Sequence, residues 1–230
     1  MKIKIMTFNV CHFKNINTNR IEYVKIIKFI KDKNIDIVGF NEVYGNKYDK
    51  KIMVSQIEYI AKMLGYYYYF SPSTKIKGVK YGNGIISKYP INMAHIIKIP
   101  MPKIRSGTAY YEKRSILKAN INKLNLNIYI THLGLNEDEQ KLGINTILNS
   151  ININNSILMG DFNIENNNVL IKSFNKNMKS ILNNSFTFPS LKPTKKLDYI
   201  FVSKNIKIIH SYIPNFIISD HLPIISTIEI

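Results

Sequence analysis

Apolar residues recur along the chain with two different periods, and each period predicts one kind of element. Alternating or short continuous apolar runs predict strands at residues 2–9, 35–40, 66–70, 83–87, 115–121, 126–131, 156–160, 197–202, 206–213 and 223–228. Helical spacing predicts a first helix with Tyr23, Ile26, Ile27 and Ile30 on one face, and two more over about 50–64 and 137–149. Too many strands follow one another directly for a doubly wound parallel sheet. The pattern therefore predicts an α/β fold with two stacked sheets and helices outside them.

Local signals predict where two of these helices begin or end. Asn19 followed by Glu22 has the form of a capping box and predicts the start of the first helix. Gly65 predicts the end of the second helix, whose apolar face would include Met53 and Ile57. No linker, repeat or low-complexity tail interrupts the sequence. We therefore expect residues 1–230 to form a single domain.

Polar residues follow many of the apolar runs. They are Asn9, Glu42, His132, Asp161, Asn163, Asp198, Asp220 and His221. Any one of them alone is more typical of a cap, a turn or a structural histidine. As a set they are more informative, because the carboxylates of Glu42 and Asp220 suit Mg²⁺. Two imidazoles and an Asp-Asn pair add groups that transfer protons and contact an oxyanion.

Two short strings carry the strongest chemical signal, Gly160-Asp161-Phe162-Asn163 and Ser219-Asp220-His221. Each ends an apolar run, residues 156–159 and 215–218, so each is expected to deliver its polar residues to a sheet edge. Asp161 and Asn163 are two positions apart, which places them on one face of the pleat. Asp220 and His221 join an oxygen ligand to a group that titrates near neutral pH.

Composition limits the class of protein further. The 230 residues are 45% hydrophobic, which is enough for one large globular domain with a substantial core. Thirty-two Lys and Arg against 15 Asp and Glu give a net charge of +17. This charge favours an anionic partner such as nucleic acid, an anionic lipid or a polyphosphate, and a solvated lysine surface that aids solubility is the alternative.

The sequence also carries few signs of an oxidising or membrane location. Its single cysteine, Cys11, excludes an intramolecular disulfide and is expected to be a small buried residue near a strand end. No apolar stretch is long enough to span a bilayer, and the first residues lack the apolar region of a secretory signal. We therefore expect no transmembrane segment and a cytoplasmic location.

Short segments along nearly the whole chain resemble the motifs of the endonuclease/exonuclease/phosphatase superfamily of metal-dependent hydrolases, the group of DNase I and exonuclease III. In the superfamily's order, they are residues 6–10, 41–43, 82–90, 114, 131–134, 160–163, 197–200 and 219–224. Asp-Phe-Asn alone arises often by chance, whereas the ordered set is specific. The resemblance implies a four-layer α/β sandwich, in which two packed mixed β-sheets are flanked by helices and the active site lies at one edge.

The resemblance also implies a metal side of the site. Glu42 is implied to be the principal Mg²⁺ ligand, with Mn²⁺ as a substitute. Asn9 lies beside the metal or orients water, and Asp220 completes the metal-side shell. Asn41 precedes Glu42 where the superfamily usually has Gln. The Asn side chain is one methylene shorter and reaches less far, but we expect the chemistry to survive.

The remaining implied roles concern water and phosphate. Asp161 positions or activates the attacking water, while Asn163 and His132 contact the phosphate. Asp198 pairs with His221, which acts either as general base or as a charged phosphate contact. Further candidates for phosphate binding are Arg114 and Asn83, and a surface ion pair is the alternative for Arg114.

These roles favour a Mg²⁺-dependent phosphohydrolase, above all a phosphodiesterase in which water attacks phosphorus in line. A DNA endonuclease or exonuclease is the alternative; basic charge supports it, but no Trp precedes Asp198 as in the abasic-site enzymes. A non-catalytic binding module on the same fold is disfavoured, because Glu42, Asp161 and His221 are all retained. We expect a monomer that acts on a phosphoester substrate.

Overall fold

Two six-stranded sheets face each other in the computed structural model, which describes residues 1–46, 52–182 and 185–230. The strands are β1 (Lys2–Asn9), β2 (Ile37–Tyr44), β3 (Tyr67–Ile76), β4 (Val79–Ser87), β5 (Met93–Lys98), β6 (Ser115–Ile121), β7 (Leu126–His132), β8 (Ser156–Asp161), β9 (Met178–Ser180), β10 (Asp198–Ser203), β11 (Lys207–Tyr212) and β12 (Ile224–Glu229). The helices are α1 (Tyr23–Lys33), α2 (Gln56–Leu64), α3 (Glu137–Ser150) and the short α4 (Val169–Lys172).

Both sheets are mixed. The first has the strand order β11-β12-β1-β2-β4-β3, and the second has the order β5-β6-β7-β8-β10-β9. The pairs β1–β2 and β7–β8 are parallel, and the remaining pairs are antiparallel. The predicted pair of mixed sheets is therefore confirmed, and β5 and β9 are strands that the hydrophobic pattern did not predict.

Three apolar clusters separate four layers. The central cluster joins the two sheets, for example Ile5 and Ile37 from the first with Ile130 and Met159 from the second. A second cluster packs α1 and α2 against the outer face of the first sheet. A third packs α3 against the outer face of the second sheet, with Ile144 among its members. Buried area of this kind is the main source of stability for such a fold, and its arrangement is the predicted four-layer sandwich.

Alternation along β1 positions the first polar residue of the site. Ile3 and Ile5 point into the layer between the sheets, whereas Met6 and Phe8 point toward the helices. Because side chains alternate along a strand, Asn9 belongs to the set that faces the second sheet. It is 1% exposed at the end of β1 where the inter-sheet layer opens.

The predicted start of the first helix is wrong. Asn19 has a positive φ of 59° and lies in a turn, where its backbone N–H donates to the carbonyl of Asn15. The Asn15 side chain organises this turn by accepting from the backbone of Asn17 and Thr18, so Asn19 is not available as a cap. The helix begins at Tyr23, and its predicted apolar face is buried.

The second helix is shorter than predicted. Its predicted start at residue 50 lies outside the described residues, and α2 begins at Gln56 after the cap Ser55, whose Oγ accepts from the backbone of Glu58. Met53, predicted on the apolar face, precedes the helix and is 88% exposed. Gly65 ends the helix as predicted, with a φ of 70°.

Among the residues that the structure describes, no helix combines the length and apolar character needed to cross a membrane.

Candidate active site

Three polar side chains lie in one row across the edge of the second sheet. The parallel pairing of β7 with β8 places His132 opposite Asp161, and the antiparallel pairing of β8 with β10 places Asp198 opposite Asp161. Residues paired in register on neighbouring strands point to the same face, so three chain segments deliver their side chains to one place. All three side chains are almost completely buried.

Gly160 allows the strands to come this close together. Its φ is 142°, and a Cβ on this residue would lie 1.9 Å from the carbonyl oxygen of Thr131 on β7. A side chain is therefore excluded by the backbone of the neighbouring strand. This contact explains why glycine precedes Asp161 in the Gly-Asp-Phe-Asn string.

Glu42 reaches the site through a bulge in the first sheet. Sequence predicted that β2 ends at Phe40, but β2 continues to Tyr44, and Asn41 and Glu42 together oppose the single residue Asn83 on β4. Glu42 has a φ of 60°, which is uncommon for a residue with a side chain. Bulges redirect side chains, and this one turns Glu42 into the cavity instead of toward the helices.

Asn9 links the carboxylates of the two sheets. Its Nδ2 donates to Oε1 of Glu42 over 3.1 Å and to Oδ2 of Asp161 over 3.0 Å. Its Oδ1 accepts from the backbone N–H of Cys11 over 3.2 Å. Asn9 thus holds Glu42 and Asp161 in fixed relation. This contact pattern is that of a positioning residue, and the predicted place beside a metal is compatible with it.

Asp220 and His221 come from a loop and not from a strand end. Residues 213–223 connect β11 to β12 without strand structure, although the apolar run before Asp220 led to the opposite expectation. Ser219 fastens this loop to the first sheet, because its Oγ donates to the carbonyl of Asn9 over 2.7 Å. The backbone of Ser190 donates to the carbonyl of Asp220 and fixes the other side of the loop.

His221 forms a short, buried pair with Asp198. Its Nδ1 lies 2.7 Å from Oδ2 of Asp198, which also accepts from Oγ1 of Thr187 over 2.6 Å. Burial alone would lower the pKa of His221, but Asp198 and Asp161 together outweigh it and raise this pKa to about 10. The imidazole is therefore charged at neutral pH, and its Nε2 lies 3.6 Å from Oδ2 of Asp161.

His132 has the opposite character. Burial lowers its pKa well below the usual value, and the charges of Arg114 and His221 lower it further. Nη1 of Arg114 lies 3.0 Å from Nδ1 of His132. A guanidinium can only donate, so Nδ1 accepts and Nε2 carries the proton. His132 is thus a neutral imidazole whose Nε2–H lies 3.5 Å from Oδ2 of Asp161.

Asp161 is the point where these groups converge. Its Oδ1 accepts from the backbone N–H of Asn163 over 2.9 Å, while Oδ2 faces Asn9 and both imidazoles. Burial raises the pKa of Asp161 to about 7, although the nearby charge of His221 opposes the shift. A carboxylate with this pKa can bind and release a proton near neutral pH.

Asn41, the shorter residue in place of glutamine, reaches across the two sheets. Its Oδ1 accepts from the backbone of Asp161 over 2.9 Å, and its Nδ2 donates to the carbonyl of Thr131 over 2.9 Å. Both partners belong to the second sheet. The missing methylene therefore does not prevent an inter-sheet connection directly beneath the site.

Two candidate phosphate contacts have different positions. Arg114 lines the cavity with a nearly buried side chain and pairs with Glu112 at 3.2 Å, so the alternative of an ion pair is present, although it is not on the surface. Its contact with phosphate stays a prediction. Asn83 does not line the cavity; its Nδ2 donates to the carbonyl of Ser115 and its Oδ1 accepts from Asn41. Its contacts are structural. Asn163 lines the cavity, and its Nδ2 donates to the carbonyl of Leu133 over 3.0 Å.

The cavity above this row has a volume of about 690 Å³. Its charged lining residues are Glu42, Glu112, Arg114, Asp161, Glu165, Lys195, Asp220 and His221. Carboxylates and cationic donors meet within one space, which suits a divalent cation together with an anionic ligand. Glu42 and Asp220 supply oxygen atoms of the kind that Mg²⁺ prefers, so the residues present fit the expected cation by their chemistry.

His12 is a site residue that sequence reasoning missed. Its Nδ1 lies 3.2 Å from the carbonyl of Glu42, so this nitrogen donates, and its Nε2 lies 4.0 Å from Oε2 of Glu42. Cys11, His12 and Glu42 form a cluster that could hold a metal ion. Cys11, His12 and Phe13 all have positive φ angles and form a left-handed turn. The hydrophobic pattern of the sequence does not predict this turn. Cys11 is half-buried, and burial with the charges of Glu42 and Asp220 raises its pKa to about 12.

A second cluster with metal-ligand chemistry is formed by Asp161, Asp198 and His221. The Nδ1 of His221 is already bonded to Asp198, and its raised pKa keeps the ring protonated. A protonated imidazole is a poor metal ligand because both nitrogens carry hydrogen. The oxygen-rich side of the cavity around Glu42 and Asp220 therefore fits a divalent cation better.

A two-sheet sandwich that presents carboxylates beside a buried Asp-His pair at one edge defines a class of phosphoester-bond hydrolases. The chain belongs to the endonuclease/exonuclease/phosphatase family, whose sequence model matches residues 6–221. Members of this family hydrolyse phosphoester bonds and generally depend on a divalent metal. The predicted superfamily is therefore confirmed. No curated protein matches the chain closely enough to serve as a relative.

Solved structures resemble the whole chain. A family protein from Leptotrichia buccalis is 26% identical, with a TM-score of 0.76 over 99% of this chain and 100% of that one. A mannosyl-6-phosphatase from Bacteroides thetaiotaomicron is 16% identical, with a TM-score of 0.73 over 99% and 100%. The human nocturnin catalytic domain with bound sulfate is 17% identical, with a TM-score of 0.73 over 99% and 93%. Because the last two structures are only 16% and 17% identical to this chain, they show a similar fold and nothing about activity.

Proposed function

We propose that this protein is a Mg²⁺-dependent phosphodiesterase that uses water as its nucleophile. The observation that carries the proposal is the convergence of His132, Asp161 and His221 within one cavity, with both Nε2 atoms within 3.6 Å of Oδ2 of Asp161. Two hydrogen-bond donors of different charge thus surround one buried carboxylate. Such a preorganised set suits a reaction in which water attacks a negatively charged centre.

Asp161 is the proposed water-positioning group and proton acceptor. Its carboxylate is held by Asn9 and by the backbone of Asn163, so its orientation does not depend on the substrate. Burial raises its pKa to about 7, which is a favourable value for a base at neutral pH. Asn163 is the proposed further contact to the phosphate, because it borders the same cavity.

His132 and His221 are the proposed contacts to the phosphate oxygens. His132 donates through Nε2–H in its neutral form, since Arg114 occupies its other nitrogen. His221 donates as an imidazolium that Asp198 orients, and this favours a charged phosphate contact over a general base. Negative charge that develops on the phosphate would be stabilised by both donors.

Glu42 and Asp220 are the proposed ligands of Mg²⁺, or of Mn²⁺ in its place, and Asn9 keeps Glu42 in position. When bound, the cation would neutralise phosphate charge and assist the leaving group. One chain supplies all of these side chains, so the proposed site needs no second copy, and a monomer is the proposed active form.

The similar folds include a mannosyl-6-phosphatase, a nocturnin domain that binds sulfate, and a humanised zebrafish TDP2. A DNA endonuclease or exonuclease remains the second candidate function, and the net charge of +17 is the observation that favours it.

A substrate panel tests the proposal. Purified protein with Mg²⁺ or Mn²⁺ would be assayed on bis(p-nitrophenyl) phosphate, p-nitrophenyl phosphate, plasmid DNA, abasic duplex, RNA and inositol phosphates. We expect diester hydrolysis that is absent with chelator and about a thousandfold slower in His221→Ala. Faster cleavage of the monoester would replace diesterase with phosphatase, and nicking of plasmid would favour the nuclease. Inactivity on every substrate with either metal contradicts the proposal.

A further inference from the structure

A second groove adjoins the catalytic cavity. Its volume is about 600 Å³, and Glu112 lines both spaces, which makes them neighbours. Four cationic side chains line it, from β3, from β4 and from the segment between β5 and β6: Lys75, Lys80, Arg105 and Lys113. We name this space the cationic groove. Its volume is in the range of small-molecule binding sites.

Two of these cations face each other across a hairpin. Lys75 and Lys80 are directly opposite in the antiparallel pair β3–β4. Like charges in this position repel each other and cost stability. Among the ion pairs between described residues, none involves any of the four cations of the groove. Glu112 is the one described carboxylate on the lining of the groove, against four cations, so positive charge predominates beside the proposed catalytic cavity.

Contacts within the protein hold the far wall of the groove in place. The guanidinium of Arg105 lies over the ring of Tyr111, with its Cζ 4.9 Å from the ring centroid. The hydroxyl of Tyr111 donates to Asp138 over 2.8 Å and accepts from the backbone of Gly107 over 2.7 Å. Tyr110 also lines the groove and is 80% exposed.

We propose that the cationic groove is a subsite for a second phosphate group of the substrate, whose scissile phosphate occupies the catalytic cavity. This proposal rests on the proposed function and narrows the substrate to molecules with at least two phosphates. Lysine and arginine recognise phosphate through charge-assisted hydrogen bonds, and the Lys75–Lys80 pair would lose its mutual repulsion when a dianion binds between them. The second phosphate would belong either to a nucleic-acid strand or to a small polyphosphorylated molecule.

A matched pair of ligands tests the subsite without catalysis. Thymidine 5′-monophosphate and thymidine 3′,5′-bisphosphate differ only in the second phosphate, and their affinities for the intact protein would be measured by calorimetry. We expect the bisphosphate to bind at least about tenfold more tightly, which corresponds to roughly one charge-assisted hydrogen bond. The double variant Lys75→Ala/Lys80→Ala should lose this preference and keep its affinity for the monophosphate. Equal affinities in the unmodified protein would overturn the proposal.

A control separates the groove from general charge. The variant Lys31→Ala/Lys204→Ala removes the same charge from two exposed lysines at the end of α1 and after β10, at the sheet ends opposite the site. It should keep the preference for the bisphosphate. If it loses as much as the groove variant, the effect is non-specific attraction and the proposal is wrong.

Kinetics distinguish failure of the subsite from failure of the proposed function. Thymidine 5′-(p-nitrophenyl phosphate) has one phosphate, and its 3′-phosphorylated form has two. We expect the groove variant to hydrolyse the first like the unmodified protein and to lose about tenfold in kcat/KM on the second. If neither compound is hydrolysed but the protein still binds the bisphosphate more tightly than the monophosphate, the subsite is supported and the proposed phosphodiesterase activity is contradicted.

Two further ligands identify the source of the second phosphate. The tetranucleotide of thymidine carries a chain of phosphates with bases, whereas 1,6-hexanediol bisphosphate carries two phosphates without a base. Tighter binding of the tetranucleotide, weakened by Tyr110→Ala, would indicate a strand whose base stacks on this exposed ring. Equal or tighter binding of the hexanediol compound would indicate a small polyphosphorylated substrate. If neither competes with thymidine 3′,5′-bisphosphate, the proposal is contradicted.

Discussion

Asp161 and Asp198 lie directly opposite each other on β8 and β10, and His221 contacts both of them. Its Nδ1 is 2.7 Å from Asp198 and its Nε2 is 3.6 Å from Asp161. Two buried carboxylates at such a position would repel each other if no cation lay between them. The imidazolium of His221 therefore has an electrostatic role in the resting site, because it lies between the two carboxylates.

Asp198→Asn should lower the activity and shift its pH dependence. Asp198 and Asp161 raise the pKa of His221 to about 10, so the imidazolium persists from neutral pH up to about that value. Without Asp198, the lowering effect of burial gains weight and the pKa falls. We expect the alkaline limb of the kcat/KM profile to move to lower pH, and the rate at pH 8 to fall.

The comparison with His221→Ala completes this test. That variant should lose about a thousandfold in rate and show no alkaline limb from this group, since one positioned donor contributes roughly 4 kcal/mol. Asp32→Asn, which removes an exposed carboxylate on α1, serves as the control and should match the unmodified protein. An unchanged alkaline limb in Asp198→Asn would show that the Asp-His pair does not set the charge of His221.

Arg114→Ala should reduce activity by about ten- to a hundredfold. The guanidinium fixes His132 in the tautomer with a proton on Nε2, through a hydrogen bond of 3.0 Å to Nδ1. Loss of this charge-assisted bond, which contributes about 1.5–3 kcal/mol, leaves the ring free to adopt the other tautomer. Nitrogen NMR of the imidazole would report the tautomer directly, and Arg20→Ala, at an exposed arginine, is the control. Full activity in Arg114→Ala contradicts the role of the tautomer.

The predictable and unpredictable parts of this site have different physical origins. Strand patterns were sufficient to predict β1, β7 and β8. Alternation predicted β1 and β7, and a short continuous apolar run predicted β8, which is buried at every position. Register between strands then follows from packing, which brings His132, Asp161 and Asp198 into one row. A sequence pattern does not contain that pairing.

Departures from regular structure were the features that sequence could not predict. The bulge at Glu42 breaks the alternation on which the prediction depends, and its positive φ is stabilised by the surrounding sheet. The left-handed turn at His12 has no glycine to signal it. The loop that holds Asp220 resembles a strand in sequence because it contains an apolar run. Ile218 is buried and Phe216 is partly buried, but they pack beside the first sheet and not within it.

Gly160→Ala should destabilise the fold by about 3 kcal/mol or more, since its Cβ would meet the backbone oxygen of Thr131 and neither strand can shift alone. Gly78→Ala is a matched control, because Gly78 also has a positive φ, 80°, but its Cβ would meet nothing within 4 Å. The control should cost only the conformational penalty of about 1–2 kcal/mol. Urea unfolding measures both. Equal losses in the two variants would show that the contact with Thr131 is unimportant.

Stability should rise with pH in a window set by Lys196. This residue is 1% exposed, and its Nζ donates to the carbonyls of Ile181 and Leu182 while lying 4.9 Å from the ring centroid of Tyr199. Burial lowers its pKa to about 8, against 10.5 in an ordinary lysine. Between these values the unfolded chain binds more protons than the folded one, so the free energy of unfolding increases with pH.

Between pH 8 and 10.5, Lys196 should increase the free energy of unfolding by about 3 kcal/mol. Below pH 8, its buried charge lowers the free energy of unfolding by this full amount. Lys196→Met should remove this part of the pH dependence in urea unfolding experiments. Lys192→Met, at an exposed lysine, should retain it. If Lys196→Met and the unmodified protein show the same slope, the folded-state pKa of Lys196 is not lowered.

Glu42→Ala should abolish metal binding and activity together. The bulge directs this carboxylate into the cavity beside Asn9, and an anionic oxygen is the ligand that Mg²⁺ and Mn²⁺ bind most strongly in such sites. Calorimetry with Mn²⁺ should show one site in the unmodified protein and none in the variant, while the circular dichroism spectrum stays unchanged. Glu58→Ala removes a carboxylate on α2 that pairs with Lys62 and should bind Mn²⁺ normally. Undiminished Mn²⁺ affinity in Glu42→Ala would contradict the assignment of Glu42 as a metal ligand. Undiminished hydrolysis by the unmodified protein in excess chelator would contradict a metal-dependent reaction.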